Sequence, residues 1–178
     1  NITATAVDVW VIDIKTSTCS KINKNAANIV LSSSLIWLDD ATVLYKINTH
    51  TAAQMSKKPI TPKGPTIQES LGKVAPSVTY QDLIKSPYDE YAFEYLATAQ
   101  LVKNNAGVET KIGAPAIISS IDLSPDKKYF LTRTINKPFS YLVTVYGFAT
   151  TVNVTDLNGK IVKTIADLAS AETTPSGY

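Results

Sequence analysis

The densest group of side chains that could bind a ligand lies in the stretch RTINKPFSYLVTVYGF, residues 133–148. Four of its residues are the candidates, Arg133, Lys137, Tyr141 and Tyr146. Arginine and tyrosine at the junction of a loop and a strand can bind a carboxylate or a peptide, because the guanidinium is a planar multiple donor and tyrosine is a large amphipathic anchor. The alternative is a strand with ordinary cross-strand aromatic pairs. We predict that these residues contact a substrate or a neighbouring domain.

The sequence contains no complete set of residues for nucleophilic catalysis. The one histidine, His50, lies in the loop NTHTAA, and the one cysteine, Cys19, lies in the polar turn TSTCSK. A serine triad or a cysteine–histidine dyad needs a histidine that an acidic partner holds as a base. The glycine spacing also excludes the G-x-S-x-G elbow, the dinucleotide fingerprint and the P-loop. We therefore predict no catalytic residue, no metal site and no cofactor.

Neighbouring carboxylates occur three times, and turn formation explains them better than acid–base catalysis. The pairs are Asp39/Asp40, Asp89/Glu90 and Asp122/Asp126. The first and third lie in predicted turns, where aspartate commonly accepts hydrogen bonds from nearby backbone N–H groups. A glycosidase would need two carboxylates positioned across a cleft, and nothing in the spacing singles out such a pair.

The length and charge of the chain limit the classes of protein to which it can belong. A chain of 178 residues fits one domain, or a piece of a larger protein. Its 17 basic and 15 acidic residues are scattered, which excludes the basic stripe of a nucleic-acid binder. No run approaches the ~20 apolar residues of a membrane span. The first residues, NITATAVDVW, lack the basic region that opens a signal peptide, and Asn1 in place of methionine suggests a chain cut from a longer one.

Most of the chain shows the alternating residue pattern and the turn signals that are typical of β-strands. VDVWVIDI, residues 7–14, alternates between two faces that are both apolar, which predicts a strand sandwiched between layers. Residues 35–48 predict a hairpin with its turn at Asp39–Asp40, and residues 118–136 predict another with a Ser-Pro-Asp turn. Asn158-Gly159 is a strong signal for a further hairpin turn.

These hairpins form a weak internal repeat. Asp40 aligns with Asp126, and three strand–turn–strand segments also match, at residues 10–22, 100–112 and 152–165. Removal of the roughly 45 residues of an insertion leaves a period near 40, as in a four-stranded propeller blade. The prediction is an all-β partial β-propeller of two blades and part of a third, with the incomplete copy at the C-terminus. A complete β-sandwich is the alternative. An open arc exposes strand edges, so we also expect self-association.

One blade contains a loop and helical insertion, residues 49–94, within a single domain of residues 1–178. Residues 49–65 hold three prolines and predict a loop. Thr79 and Asp82 predict the start of a first short helix, which Pro87 ends. Ser86 as the cap, with Pro87 and Asp89 in the first turn, predicts a second one. The strand YLATAQLV, residues 95–102, is then expected to resume the sheet.

The insertion resembles part of a known enzyme family. PKGPTIQESLGKVAPSVTYQDL, residues 62–83, is similar to the insertion in the N-terminal β-propeller of glutamyl endopeptidase-like serine peptidases of the prolyl oligopeptidase superfamily. The likeness continues in collinear order through SPDKKYFL (124–131), PFSYLV (138–143) and DLNGKIVKTIADL (156–168). It therefore covers most of the chain. The family often has basic residues near PFSY, whereas Thr134 and Gly147 occupy two such places here. If a basic side chain at either place reads an acidic residue before the cleaved bond, this chain lacks that side chain, so the resemblance does not determine the residue preferred there.

The resemblance implies a non-catalytic part of a longer peptidase. A C-terminal α/β-hydrolase domain, absent from this chain, would carry the catalytic triad and be the main partner. The propeller would cap the active site and restrict access to short or unfolded peptide substrates. For a bacterial source, the resemblance implies a periplasmic or secreted protein. Two alternatives remain open: a stand-alone β-rich module that binds protein or glycan, and an inactive relative of the peptidase.

Overall fold

The computed structural model describes residues 2–3, 6–33, 35–58 and 83–173. Within these ranges the chain forms one α-helix, α1 (Pro87–Ala97), and the following strands: β1 (Trp10–Asp13), β2 (Thr18–Lys21), β3 (Ile36–Trp37), β4 (Thr42–Asn48), β5 (Thr98–Asn105), β6 (Val108–Leu123), β7 (Tyr129–Ile135), β8 (Thr150–Asp156) and β9 (Ile161–Leu168). Three short 3₁₀ turns cover Ala52–Gln54, Val145–Gly147 and Ala171–Thr173.

The strands form a curled antiparallel sheet in which neighbours in sequence are neighbours in space. β3 to β9 follow one another in a seven-stranded sheet, and β1 pairs only with β2. The predicted fold class, all-β with a small helical insertion, is confirmed, and the curled sheet is consistent with a partial propeller.

The long strand β6 divides the sheet into two four-stranded units. Residues 108–117 pair with β5, whereas residues 118–123 pair with β7. The first unit is β3, β4, β5 and the first part of β6; the second unit is the rest of β6, β7, β8 and β9. A blade-like repeat of four strands is therefore present twice.

The predicted hairpins and their repeat appear in the structure, with one correction. The turns between β3 and β4, β6 and β7, and β8 and β9 occur where the sequence placed them. The hairpin of β8 and β9 is, however, the outer half of the second unit and not the start of an incomplete copy. The pair β1–β2 stands apart from the seven-stranded sheet, so the partial copy lies on the N-terminal side of the two units.

β4 is the strand that is covered on both faces. Its side chains are buried from Thr42 to Ile47. One face packs against the N-terminal segment through Val43, Tyr45 and Val9. The other face packs Leu44 against Phe130 of the second unit. The chain thus forms three stacked layers, with the first unit in the middle.

The prediction that residues 7–14 are sandwiched is wrong for the described residues. Val9 is buried, but Trp10, Ile12 and Ile14 on the opposite face are 46%, 65% and 90% exposed. The physical reason is position: β1 and β2 form the outer layer of the stack, so one apolar face of β1 packs inward and the other meets solvent.

The insertion forms one helix in the described part of the chain, where two were predicted. Ser86 Oγ accepts a hydrogen bond from the Asp89 backbone N–H, and Pro87 opens α1, as the cap signals predicted. α1 continues through Ala97, so β5 begins at Thr98 and not at Tyr95. The predicted start of the first helix lies outside the described residues, and Leu83 to Lys85 are not helical.

A close contact between two glycines joins the two units. Gly159, in the β8–β9 turn, has φ +85° and packs on Gly113 of β6. A Cβ atom at position 159 would lie 2.4 Å from the Gly113 backbone nitrogen. The Gly113 N–H also donates to the Asn158 carbonyl at 3.2 Å. Glycine is therefore required at position 159 by both backbone conformation and space.

We expect Gly159→Ala to reduce the free energy of unfolding more than Gly107→Ala. Gly107 has φ +88° but no atom within 4 Å of an added Cβ, so its substitution measures the conformational cost alone. That cost is about 1–2 kcal/mol. The further loss at position 159 comes from the clash between the units. Urea unfolding of both variants checks this, and equal losses would contradict the close contact.

Lys46 is a buried cation in the middle layer. It is 2% exposed, and its Nζ donates to Ser32 Oγ at 2.8 Å and to the Ile118 carbonyl at 3.1 Å. No carboxylate of the described residues forms an ion pair with it. Burial without a counter-charge lowers the pKa of Lys46 from 10.5 to about 8.

We expect the protein to become more stable between pH 8 and pH 9.5. The folded state releases the Lys46 proton near pH 8, whereas the unfolded chain keeps it to a pKa near 10.5. The unfolded state then binds more protons, so the free energy of unfolding rises with pH in this window.

Urea unfolding at pH 7.5 and pH 9.5 measures the effect. Lys46→Met should remove this part of the pH dependence, while the exposed Lys111→Met serves as the matched control and should retain it. An unchanged pH dependence in Lys46→Met would show that another group is responsible.

Candidate functional site

A cleft of about 200 Å³ opens beside the second unit at the end of β7. We call it the Arg133 cleft. Eight residues line it: Val30, Leu31, Ser119, Arg133, Ile135, Val145, Tyr146 and Thr150. They come from the loop after residue 28, from β6, β7 and β8, and from the 3₁₀ turn at Val145–Gly147.

The floor and the rim of the cleft differ in chemistry. Ile135 and Thr150 are paired in register across β7 and β8, are 6% and 7% exposed, and form the floor. Arg133 lies two residues before Ile135 and therefore on the same face of β7. Tyr146, which is 96% exposed, stands at the rim. An apolar floor with polar groups at its edge is the usual composition of a binding pocket.

A β-bulge places Ser119 at the cleft. The pairing of β6 with β7 shifts between Ile118 and Ser120, which leaves Ser119 without a partner in the register. Bulges reorient a side chain and often occur beside binding sites. Here the Ser119 hydroxyl donates to the Arg133 carbonyl at 3.2 Å.

Lys46 holds two walls of the Arg133 cleft together. Its bond to Ser32 fixes the chain next to the lining residue Leu31, and its bond to the Ile118 carbonyl fixes the strand next to Ser119. The buried lysine thus positions the cleft without lining it.

Lys137 and Tyr141 contact the helix and do not line the Arg133 cleft. Lys137 Nζ lies 2.6 Å from Glu94 Oε2, and the Tyr141 hydroxyl donates to Glu90 Oε2 at 3.0 Å. Burial and the bond to Glu90 raise the pKa of Tyr141. The two acidic residues are one turn apart on α1, so the loop of residues 137–141 docks along one side of the helix.

An aromatic cluster completes this docking. Phe93 of α1 makes edge-to-face contacts with Phe139 and Phe148, with ring centroids 5.0 Å and 5.7 Å apart. Phe139 and Phe148 are each 5% exposed. The four sequence-predicted site residues therefore separate into a pair at the cleft, Arg133 and Tyr146, and a pair at the helix, Lys137 and Tyr141.

Position 147 suits glycine in this arrangement. A Cβ atom there would lie 2.9 Å from Val143 Cγ2. A larger side chain at this place would require Val143 to move.

Asp39 and Asp126 act in turns, as predicted, whereas Asp122 lies in β6 opposite Leu131 and not in a turn. Asp39 Oδ1 accepts from the backbone N–H groups of Ala41 and Thr42, and the backbone bond from Ala41 is the main cause of its lowered pKa. Asp126 accepts from Ser124 Oγ at 2.7 Å, which lowers its pKa in the same way. Such bonds stabilise the ionised form and occupy its oxygens.

Other chemically capable groups are dispersed. His50 is stacked on Tyr95, with centroids 4.7 Å apart, and Cys19 is an exposed free thiol in β2. Among the described residues, no group of three or more histidines, cysteines or carboxylates could hold a metal ion. No helix in the described ranges is long and apolar enough to cross a membrane.

Comparison with known proteins shows that the chain is similar to one region of proteins that are named as peptidases. It is 34% identical over 172 residues to "Probable glutamyl endopeptidase, chloroplastic" of Arabidopsis thaliana, which covers 94% of this chain. A protein of the same name from Oryza sativa subsp. japonica is 33% identical over 172 residues. The chain is related to a region of these peptidase-named proteins. It spans 18% of their length. No protein-family model and no solved structure matches it.

Sequence reasoning missed half of the polar groups at the Arg133 cleft. Ser119 and Thr150 join Arg133 and Tyr146 only because a bulge and a strand pairing place them there. Leu31 comes from a loop about 100 residues away in sequence. The short-range signal that could have indicated Ser119 is its position beside the strand junction, and nothing local marks Thr150.

We expect the aromatic cluster, and not the ion pair, to hold α1 in place. Phe139→Ala should lower the free energy of unfolding by roughly 3 kcal/mol or more, since it leaves a cavity against Phe93. Glu94→Gln should lower it by less than about 1 kcal/mol, because the pair with Lys137 is exposed. Thermal unfolding measures both, and a larger loss in Glu94→Gln would contradict this assignment.

Proposed function

We propose that this chain is a non-catalytic β-propeller portion of a serine peptidase of the prolyl oligopeptidase superfamily. In the complete protein it would cap the active site of an α/β-hydrolase domain and control the access of peptides. The observation that carries the proposal is the similarity over 94% of the chain to one region of proteins named probable glutamyl endopeptidase.

The surface of the chain supports a role in contact with further protein. Trp10, Ile12 and Ile14 expose one apolar face of β1 on the outer layer. At the opposite side of the stack, the apolar side chains of β9 are also exposed, with Ile161 at 56% and Ile165 at 54%. Neighbouring blades would cover such faces in a closed propeller.

We place the gate at α1 and the loop of residues 137–141. These segments lie in the β4–β5 and β7–β8 connections, outside the two units. They meet through the buried cluster around Phe93, the Lys137–Glu94 ion pair and the hydrogen bond from Tyr141 to Glu90. Gates are commonly built from connections of this kind, because they can move while the sheet stays intact.

Cleavage assays test the proposal with the longer protein that contains this chain. The substrates are quenched-fluorescence peptides with Glu, Asp, Ala or Pro before the scissile bond, and a folded protein. We expect the longer protein to cleave short peptides and spare the folded protein, while this chain alone cleaves neither, since it lacks a catalytic set.

Phe139→Ala in the longer protein should raise the rate on large substrates relative to short peptides, because it releases α1. Glu94→Gln, at the exposed ion pair, is the matched control and should leave this ratio unchanged. Absence of cleavage by the longer protein would favour a stand-alone binding module or an inactive relative. If Phe139→Ala leaves the ratio of the rates on large substrates and short peptides unchanged, the proposal that α1 and residues 137–141 form the gate is wrong.

A further inference from the structure

We propose that a second cleft, beside the start of the β4–β5 connection, binds an uncharged sugar. We call it the His50 cleft. It shares Val30 with the Arg133 cleft and no other lining residue. The inference goes beyond the proposed function, because it concerns a different site and a different class of ligand.

The His50 cleft has a volume of about 260 Å³ and lies where three segments of the chain meet. One wall is the chain that leaves β4, and the second is the last turn of α1 with the start of β5. The third comes from residues 25–30 of the N-terminal segment. The lining residues are Asn25, Ala26, Val30, Asn48, Thr49, His50, Thr51, Gln54, Tyr95, Leu96 and Thr98.

The polar groups of the His50 cleft are mostly amides and hydroxyls. No aspartate, glutamate, lysine or arginine is among its lining residues, so the cleft attracts neither a strong anion nor a strong cation. Asn25, Asn48 and Gln54 supply the amides. An amide both donates and accepts hydrogen bonds, as each hydroxyl of a sugar does, so the two match in chemistry.

Some of these polar groups are free to bind a ligand. The side-chain amide of Asn48, the hydroxyl of Thr51 and the Nε2 donor of Gln54 have no hydrogen-bond partner among the described residues. All three residues are exposed. A ligand hydroxyl can therefore bond to them without breaking a contact within the protein.

Contacts at the cleft fix the shape of its loop wall. The His50 ring stacks on the ring of Tyr95, with centroids 4.7 Å apart. The Tyr95 hydroxyl donates to the Thr51 carbonyl at 3.1 Å, and Gln54 Oε1 accepts from the Thr51 backbone N–H at 3.2 Å. A wall that is already ordered loses less conformational entropy when a ligand binds.

The backbone at the cleft favours a sugar over an extended peptide. A peptide commonly binds as an additional strand, which needs a strand edge with free N–H and C=O groups. Here the end of β4 is occupied on both sides. Asn48 lies opposite Ala99 of β5, and the Asn48 N–H donates to the Ala26 carbonyl at 2.9 Å. Recognition at this cleft therefore depends on side chains.

The apolar part of the cleft suits the C–H face of a sugar ring. Leu96 and Val30 are 40% and 52% exposed, and Tyr95 adds an aromatic ring beside them. Tyrosine combines an apolar face with a polar tip, as an amphipathic ligand requires. The volume of about 260 Å³ is below the roughly 300–1,000 Å³ typical of pockets for drug-sized ligands. A single sugar ring fits such a space.

NMR titration of this chain with neutral saccharides tests the proposal. The probes are lactose, cellobiose and maltose, which differ in linkage and in hydroxyl configuration. Sorbitol supplies hydroxyls without a ring, and acetyl-trialanine amide supplies an uncharged peptide. We expect at least one disaccharide to shift the backbone signals of residues 48–54 and 95–98, with a dissociation constant of roughly 1–10 mM, because a small open site yields modest affinity. Sorbitol and the peptide should bind at least about tenfold more weakly.

Three variants locate the binding. Asn48→Ala should weaken it by roughly threefold to tenfold, because a free amide leaves the cleft. Asn158→Ala is the matched control and should bind as the original chain does: Asn158 is also exposed, with no side-chain partner in the described residues, but it lies in the β8–β9 turn outside the cleft. Gln54→Glu keeps an oxygen that can accept from Thr51 and loses the amide donors, so it should weaken binding while the loop keeps its shape.

The proposal is overturned if no disaccharide shifts these signals at concentrations about tenfold above the expected dissociation constant. Equally tight binding of sorbitol also overturns it. Binding of the peptide in preference to the disaccharides would make the cleft a peptide site, and equal losses in Asn48→Ala and Asn158→Ala would place the sugar elsewhere. Circular dichroism checks that each variant is folded. Because this assay involves no cleavage, its failure is distinct from failure of the peptidase assignment.

Discussion

The fold of this protein depends on one long strand, β6, which pairs with the first four-stranded unit in its first part and with the second unit in its last part. β6 leaves β5 after Ile117 and joins β7 at Ile118, next to a bulge and with the Ile118 backbone carbonyl at the junction. Lys46 reaches across from β4 and donates to it. The buried cation thus adds a hydrogen bond at the point where the strand changes partner, next to the bulge.

The same junction links packing to the site. Leu44 and Phe130 close the space between the two units, and Gly159 lets their backbones meet at the other end. Together with Lys46 these contacts hold the two units against each other, and the Arg133 cleft opens between the second unit and the segment of Val30 and Leu31. The cleft thus depends on how the second unit meets the N-terminal segment, and not on a motif that is local in the sequence.

Local patterns predicted the strands well because alternation and turn residues act over a few positions. The limits of β7 and the cap of α1 followed from SPDKKYFL and SPYD. The burial of β1 was predicted wrongly. Apolar residues on both faces of a strand show that both faces could be covered, but they do not show whether the fold places a layer against each face. Two of the four polar residues of the cleft, Arg133 and Tyr146, were predicted because of their residue types. Thr150 was not, because only the pairing of β7 with β8 brings this ordinary strand residue to the cleft.

The long connection between β4 and β5 begins and ends at paired positions. Asn48 lies opposite Ala99 in the sheet, so everything between them is, in topology, the loop of a hairpin. Doubling the length of a flexible loop costs only about 0.6 kcal/mol of closure entropy. This connection can therefore change in length without altering the register of the blade, provided that Asn48 and Ala99 remain paired and that Phe93 and Ala97 keep their places in the core.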